Sequence, residues 1–148
     1  MGRLAGIARR DKKRAPMETL ESAEIDAESG VAADFRGQPG NRQVTVISAT
    51  AWRAACADLQ RDIPWTTRRA NLLVEDLELP KNAGAELHIG SVCLRITGEV
   101  DPCSRMDEQC PGLTDALKPD WRGGVSCTVL QGGFVSVGDD VTVRANGR

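Results

Sequence analysis

The sequence predicts a mostly β protein in which short strands form a barrel-like core, with a few short helices. The main observation is a series of short β-branched or alternating segments, separated by glycine turns, along the second half of the chain. A second is one Ala-rich segment whose apolar residues have the i, i+3, i+4, i+7 spacing of an amphipathic helix. Strands this short and evenly spaced favour a closed or nearly closed barrel over a βαβ sheet. The length of 148 residues predicts a single domain over residues 1–148.

The first half of the chain contains the strongest individual strand and helix signals. Gly2 to Arg9 can begin a strand, and residues 18–26, which alternate only partly, are predicted as one weak strand. Residues 43–47 are strongly β-branched and predict a strong strand. Ser48 then lies where a helix N-cap belongs, before a helix predicted over residues 49–59. Its apolar face consists of Trp52, Ala55, Cys56 and Leu59. Residues 72–74 form a short buried run.

The second half is expected to consist of short strands joined by turns. Gly90 and Ser91 turn the chain between two alternating segments, and the second of these places Val92, Leu94 and Ile96 on one face. One helical turn is predicted over residues 113–117 and ends before Pro119. The predicted strands are residues 85–89, 92–97, 125–130, 134–137 and 141–143.

Composition excludes several classes of protein and site. The net charge is -2, so the overall field does not favour nucleic acid or an anionic membrane. No apolar run is long enough to span a membrane and no signal peptide is visible, which predicts a cytoplasmic protein with reduced thiols. The five cysteines are an odd number, which argues against a full disulfide framework, and no zinc-binding pattern appears, since no Cys-x-x-Cys pair is present. The basic run over residues 9–14 is either a solvated loop or a mouth that attracts an anionic ligand.

The motifs of several common mechanisms are absent from the sequence. His88 is the only histidine, so a Ser-His or Cys-His mechanism would have to use it, and a site with two histidines and a carboxylate is excluded. The alternation around His88 places it on the polar face of its strand, which favours a structural or surface role. The paired glycines of the second half are explained better by tight turns than by a phosphate-binding loop.

The cysteines differ in their surroundings. Cys56 lies on the apolar face of the predicted helix, and Cys93 and Cys127 lie within strands, so packing roles are expected for these three. Cys110 lies in a loop, either as a resolving thiol or as a bystander. Cys103 follows the end of a strand behind Pro102, and Arg105 lies two residues further on, where a guanidinium favours the thiolate. Cys103 is therefore the thiol predicted to carry chemistry.

The segment Arg68-Arg69-Ala70-Asn71 is a second group of polar residues, directly before the apolar run 72–74. If that run is a buried strand, its polar start lies at the rim of the barrel. Guanidinium forks beside an amide suit the recognition of phosphate and amide groups. Exposed arginines at the start of a strand explain the same pattern equally well.

Taken in chain order, these segments resemble the MOSC domain family, named for the C-terminal domain of molybdenum cofactor sulfurase. The resemblance runs through most of the chain. Each matching segment is weak by itself, and the resemblance is specific because the segments occur together in the expected order. The matching segments are Lys13-Arg14-Ala15-Pro16-Met17, Gly30-Val31-Ala32-Ala33-Asp34, residues 42–48, Arg68-Arg69-Ala70-Asn71-Leu72, residues 87–90, Pro102-Cys103-Ser104-Arg105-Met106, Pro111-Gly112-Leu113, residues 121–125, Gly132-Gly133 and residues 137–139. The chain departs from the family at Asp34, where Ala33 stands in place of the usual glycine and Phe35 follows.

The resemblance implies a barrel-like β fold and binding of the pterin-based molybdenum cofactor. Carried over, Cys103 is the metal ligand and catalytic residue, or the carrier of sulfur. Arg69 and Asn71 would bind the cofactor, together with Arg36, Lys13 and Arg14. Arginines suit the phosphate at the end of the cofactor, and soft sulfur suits the metal. The family is also associated with pyridoxal phosphate.

Three functional hypotheses remain open at this stage. The first is a molybdenum oxidoreductase that reduces N-hydroxylated substrates and takes electrons from a separate electron-transfer protein, since the chain has room for the MOSC core alone. The second is a non-redox module that binds the cofactor, or carries sulfur as a persulfide received from a cysteine desulfurase. The third is a domain in which this chemistry has been lost.

Overall fold

The computed structural model describes residues 2–10, 16–32, 34, 39–40, 42–68, 70–100 and 110–144, with the side chain of Asp120 left out. The strands are β1 (Gly2–Arg9), β2 (Glu18–Leu20), β3 (Ser22–Asp26), β4 (Gly30–Val31), β5 (Val44–Ser48), β6 (Leu72–Glu75), β7 (Glu86–Ile89), β8 (Val92–Glu99), β9 (Val125–Gln131), β10 (Gly133–Ser136) and β11 (Asp140–Arg144). The helices are α1 (Ala49–Leu59) and α2 (Leu113–Leu117), and 3₁₀ turns lie at Trp65–Arg68 and Pro119–Trp121.

The larger sheet closes into a barrel, which confirms the predicted fold class. Its strand order is β11-β7-β8-β9-β5-β6-β1-β2, and a further pairing between β11 and β1 completes the ring. In that pairing Gly2 lies opposite Val141 and Arg3 opposite Asp140. Strand β2 extends from β1 outside the ring, and β10, β3 and β4 form a separate small sheet.

One pair of barrel strands is parallel, which the sequence analysis did not anticipate. Strands β5 and β6 run in the same direction, with Val46 opposite Leu72 and Ser48 opposite Val74. A parallel pair needs a crossover, and helix α1 supplies its first part. The Ser48 hydroxyl accepts a hydrogen bond from the Ala51 amide at 3.2 Å, so the strand passes directly into the capped helix. The predicted N-cap and both ends of the helix are confirmed.

Two groups of apolar side chains form the core. The larger fills the barrel and is built from inward-facing residues of successive strands, such as Leu4, Val46, Leu72, Leu87 and Leu94, each fully buried. The smaller lies between the barrel and the two helices, and it is closed on one side by the Trp52 indole, whose Nε1 donates to the Ile63 carbonyl oxygen at 2.8 Å. The smaller group consists of Ile47, Trp52, Ala55, Ala70, Cys110, Leu113, Ala116 and Leu117.

The segment at residues 18–26 forms two strands rather than one weak strand. Strand β2 pairs with β1 of the barrel, whereas β3 pairs with β10 of the small sheet. Glu21 separates the two strands, so Leu20 and Ile25 belong to different strands and their side chains need not follow one inward–outward alternation. Neither helix of the described residues is long and apolar enough to cross a membrane.

Candidate functional site

Most of the residues that the sequence analysis assigns to cofactor binding lie outside the part of the chain that the structure describes. Among them, the structure describes Asn71 alone. The residues outside are Cys103, Arg69, Arg36, Lys13 and Arg14. For these residues the sequence-based assignments stay predictions.

The strand that leads to Cys103 is fixed at its end by Arg68. The Arg68 side chain is buried, and its Nη2 donates to the Val100 carbonyl oxygen at 2.9 Å while its Nε donates to the Gly123 carbonyl oxygen at 3.0 Å. On the other side, the Val100 amide donates to the Gly124 carbonyl oxygen at 3.0 Å. Arg68 directly precedes Arg69, and Val100 lies three residues before Cys103. One guanidinium therefore joins the residue before Arg69 to the last described residue before Cys103.

Glycines line this junction because a side chain would not fit. A Cβ on Gly123 would lie 2.7 Å from the Val100 carbonyl oxygen and 3.1 Å from the Arg68 guanidinium. Gly124 has a φ of +99°, and a Cβ there would lie 2.4 Å from the Val46 carbonyl oxygen. The sequence predicts a turn rather than a phosphate-binding loop at this pair, and the structure shows a tight backbone junction there.

Asn71 is buried, and its amide connects three strands of the barrel. Its Oδ1 accepts from the Thr45 amide at 3.0 Å, at the start of β5, and its Nδ2 donates to the Ala8 carbonyl oxygen at 3.2 Å, in β1. Backbone bonds join the same residues, with Ala8 donating to the Asn71 carbonyl oxygen at 2.7 Å. These contacts give Asn71 a role in aligning β1, β5 and β6.

The segment that begins at Gly30 and reaches Asp34 contacts the end of β1. The Arg10 amide donates to Asp34 Oδ1 at 3.0 Å, and Arg9 Nη1 donates to the Ala32 carbonyl oxygen at 2.8 Å. The side chain of Arg10 is itself buried. Arg10 and Asp34, the described residues that directly precede segments 11–15 and 35–38, are therefore hydrogen-bonded to each other.

The described cysteines are free thiols that differ in burial. Cys127 is fully buried inside the barrel, and burial raises the pKa of its thiol well above the usual range. Cys110 is also buried and packs in the smaller apolar group, so its place is in the core rather than in an open loop. Cys56 is partly buried on α1, as its position on the apolar helical face predicts.

Cys93 and His88 have a shared environment that the sequence analysis missed. His88 is partly exposed on the outer, polar face of β7, as predicted, but it lies directly opposite Cys93 across the hairpin. Glu86 Oε1 lies 3.0 Å from His88 Nε2 and 3.4 Å from Cys93 Sγ. Hydrogen bonds from His88 and Cys93 lower the pKa of Glu86, while burial and the Glu86 carboxylate raise that of Cys93. The turn at Gly90 and Ser91, which fixes the register, was the sequence signal for this cluster.

Comparison with known proteins places the chain in a family. The MOSC domain profile matches residues 29–142. The structure is similar to the YuaD protein from Bacillus subtilis, with a TM-score of 0.80, 20% identity, and coverage of 98% of this chain and 97% of that one. It is also similar to YiiM from Geobacillus stearothermophilus, with a TM-score of 0.77 and 13% identity, and the match covers 98% of this chain and 76% of that one. The similarity to YiiM from Escherichia coli has a TM-score of 0.71 and 12% identity, and it covers 97% of this chain and 70% of that one.

These similarities differ in what they establish. At identities this low the solved structures show the fold alone, and none of the curated proteins matches this chain in sequence. The profile match covers well over half of the chain and includes the positions of Arg36, Arg69, Asn71 and Cys103. The chain therefore belongs to the MOSC domain family.

Proposed function

We propose that this protein binds a molybdenum–pterin cofactor, with the Cys103 thiolate as metal ligand, and reduces N-hydroxylated substrates with electrons from a separate protein. The observation that carries the proposal is the profile match over residues 29–142, which includes Cys103 and the cationic positions 36 and 69. Membership of the family supports the cofactor class. The particular reaction rests on the resemblance of the Cys103 segment to the cysteine segment of family members that reduce N-hydroxylated substrates.

The donor set of the chain fits such a cofactor in its chemistry. A thiolate is a soft ligand that suits a thiophilic metal, and arginine side chains suit a terminal phosphate. Two donors of Arg68 are engaged by the carbonyl oxygens of Val100 and Gly123, so the phosphate contacts fall to Arg69, with Arg36, Lys13 and Arg14 as further cations. Asn71 contributes by aligning the strand that begins after Arg69, through its bonds to Ala8 and Thr45.

When bound, the cofactor would supply a redox-active metal with positions open to a substrate oxygen. The protein's part is to hold the Cys103 sulfur in place, and the anchored end of β8 suits that task because Val100 is bonded on both sides. Reduction of an N–O bond consumes two electrons and two protons and releases water. An external electron-transfer protein would supply the electrons, and solvent would supply the protons.

Sulfur transfer by the same thiol is the competing hypothesis. A persulfide on Cys103, formed by a cysteine desulfurase, would use the same thiol but need no metal. The two functions therefore share a residue and differ in what it carries.

The decisive experiment measures metal and sulfur on the same samples. Wild-type protein and Cys103→Ser are produced in a host competent for cofactor synthesis, and molybdenum and pterin are quantified in each. The proposal expects near-stoichiometric molybdenum in the wild type and its loss in Cys103→Ser, with reduction of an N-hydroxylated base by the loaded wild type and a reductant. Protein without molybdenum that gains the mass of one sulfur at Cys103 after incubation with a desulfurase would instead establish the sulfur carrier. Absence of both changes would contradict both functions.

A further inference from the structure

The outer face of the β7–β8 hairpin carries a cluster of three potential metal ligands, formed by Glu86, His88 and Cys93. Their ligand atoms all lie within 4.8 Å of one another. We propose that this cluster is a zinc site with three protein ligands and a fourth position open to solvent. It lies apart from the Cys103 segment in sequence and does not depend on the function proposed for Cys103.

The distances between the three atoms are close to those that zinc requires. For bonds of about 2.3 Å to sulfur and about 2.0–2.1 Å to nitrogen and oxygen, tetrahedral angles separate the ligand atoms by about 3.3–3.6 Å. The observed separations are 3.0 Å from His88 Nε2 to Glu86 Oε1, 3.4 Å from Cys93 Sγ to Glu86 Oε1, and 3.6 Å from Cys93 Sγ to His88 Nε2. Three corners of a tetrahedron are therefore present, and shifts of a few tenths of an ångström complete the geometry.

The hairpin holds these atoms on a rigid frame. His88 and Cys93 are direct cross-strand partners, and Glu86 lies two residues from His88 on the same face. The alternate residues Leu87 and Leu94 are fully buried in the barrel core. A slip of one residue would bury the polar side chains, so the register that pairs His88 with Cys93 is strongly specified. Ligands on paired strands lose little freedom when a metal binds.

The donor types indicate zinc among the common metals. Thiolate and imidazole together exclude magnesium and calcium, which prefer oxygen, and zinc accepts sulfur, nitrogen and one carboxylate oxygen in a tetrahedral site. On binding, the Cys93 thiol gives its proton to solvent, and sulfur forms the bond to zinc. The thiolate and the Glu86 carboxylate then cancel the charge of the ion.

This neutral complex suits the charges around it. Arg95 and Arg144 lie opposite Glu86 on the strands to either side. A site with net positive charge would be repelled by these guanidinium groups, whereas a neutral one is not. The side chains of His88 and Glu86 keep exposed fractions of 28% and 24%, so an ion can enter from solvent and retain a water molecule as fourth ligand.

Cobalt substitution tests the site directly. Tag-free, reduced and chelator-treated protein is titrated with Co²⁺, because a histidine tag would add ligands. We expect one Co²⁺ per chain, a thiolate-to-cobalt charge-transfer band, the visible bands of tetrahedral cobalt, and loss of all of them when Zn²⁺ is added. Since removal of an outer partner of a metal ligand already costs 10–100-fold in affinity, loss of a ligand should weaken Zn²⁺ binding by at least about tenfold.

Matched variants locate the metal. Cys93→Ser should lose the charge-transfer band, and His88→Gln and Glu86→Gln should weaken Zn²⁺ binding, with circular dichroism checking the fold. Cys56→Ser and Glu24→Gln, which change a thiol and a carboxylate elsewhere, should bind as the wild type does. Cys103→Ser should also keep the band, which separates this site from the one in the proposed function. A wild type without the band, or a band that survives in Cys93→Ser or disappears in Cys103→Ser, would overturn the proposal.

Discussion

The Arg68 guanidinium lies 2.9 Å from the Val100 carbonyl oxygen, and this hydrogen bond joins the 3₁₀ turn before β6 to the end of β8. The two residues are 32 positions apart in the chain. A second bond from Arg68 to Gly123 adds the loop before β9 to the same junction. One buried guanidinium therefore joins three segments of the chain. Arg68 directly precedes Arg69, and Val100 lies three residues before Cys103, the two positions that the family resemblance assigns to the cofactor.

Replacement of Arg68 should destabilise the protein more than its place at a strand start suggests. Arg68→Ala leaves two carbonyl oxygens without this donor, and loss of hydrogen bonds to a charged group should lower the free energy of unfolding by about 2–3 kcal/mol. Urea denaturation of the variant measures the change. Arg53→Ala serves as the control, since the Arg53 side chain is 70% exposed, and it should stay within about 0.5 kcal/mol of the wild type. Equal effects of the two substitutions would argue that Arg68 is not a structural anchor.

Asn71 should prove to be a structural residue before it is a cofactor ligand. Asn71→Asp keeps the acceptor for the Thr45 amide but replaces the donor to the Ala8 carbonyl oxygen with an oxygen, which should cost about 1–3 kcal/mol. The measurement is the urea midpoint of protein prepared without cofactor, so that no ligand contributes. Asn82→Asp, at an exposed position, should leave the midpoint unchanged. A normal midpoint for Asn71→Asp with lost cofactor binding would show direct recognition instead.

The fold was predictable to the extent that short-range patterns determine it. Both ends of α1 follow from the Ser48 cap and the helical period, and the barrel follows from the spacing of strands in the second half. The parallel pairing of β5 and β6 was missed because it depends on where α1 packs, which the local sequence does not encode. Residues 18–26 were interpreted as one strand, although the phase change between Leu20 and Ile25 marks the passage between two sheets.

The candidate sites show the same limit. The alternation of the sequence predicts that His88 lies on a polar face. Its distance of 3.6 Å to Cys93 Sγ depends on the strand register, which is set by the hairpin turn and both strands together. The anchoring role of Arg68 depends on contacts with Val100 and Gly123, far away in the sequence. Long-range contacts of this kind are set by barrel closure rather than by any local motif.

Gly124 should be the least replaceable of the glycines near the site. Gly124→Ala combines a positive φ, which costs an L-residue about 1–2 kcal/mol, with a contact of 2.4 Å to the Val46 carbonyl oxygen, which forces the backbone to move. Two controls separate these effects. Gly138→Ala has a φ of +102° but open space around the Cβ, and Gly98→Ala has open space without a positive φ. Thermal unfolding should rank the loss of stability as Gly124, then Gly138, then Gly98, and any other order would contradict the role of the Val46 contact.

The Cys127 thiol should make the protein less stable in alkaline solution. Burial raises the pKa of Cys127 in the folded barrel above its ordinary value of 9.0, while the unfolded chain keeps the ordinary value. The stabilising contribution of the neutral thiol is thus fully present below pH 9.0 and is lost as the pH rises from there towards the folded pKa. Between pH 8 and pH 10, the free energy of unfolding should fall by about 1.4 kcal/mol more in the wild type than in Cys127→Ala. The reason is that the wild type releases the Cys127 proton when it unfolds in this range, and the variant has no such proton. Other groups titrate in both proteins and cancel in this comparison, so urea unfolding at the two pH values isolates the thiol. Parallel losses in the two proteins would mean that Cys127 ionises equally in the folded and unfolded states, which a residue with no exposed surface inside the barrel does not allow.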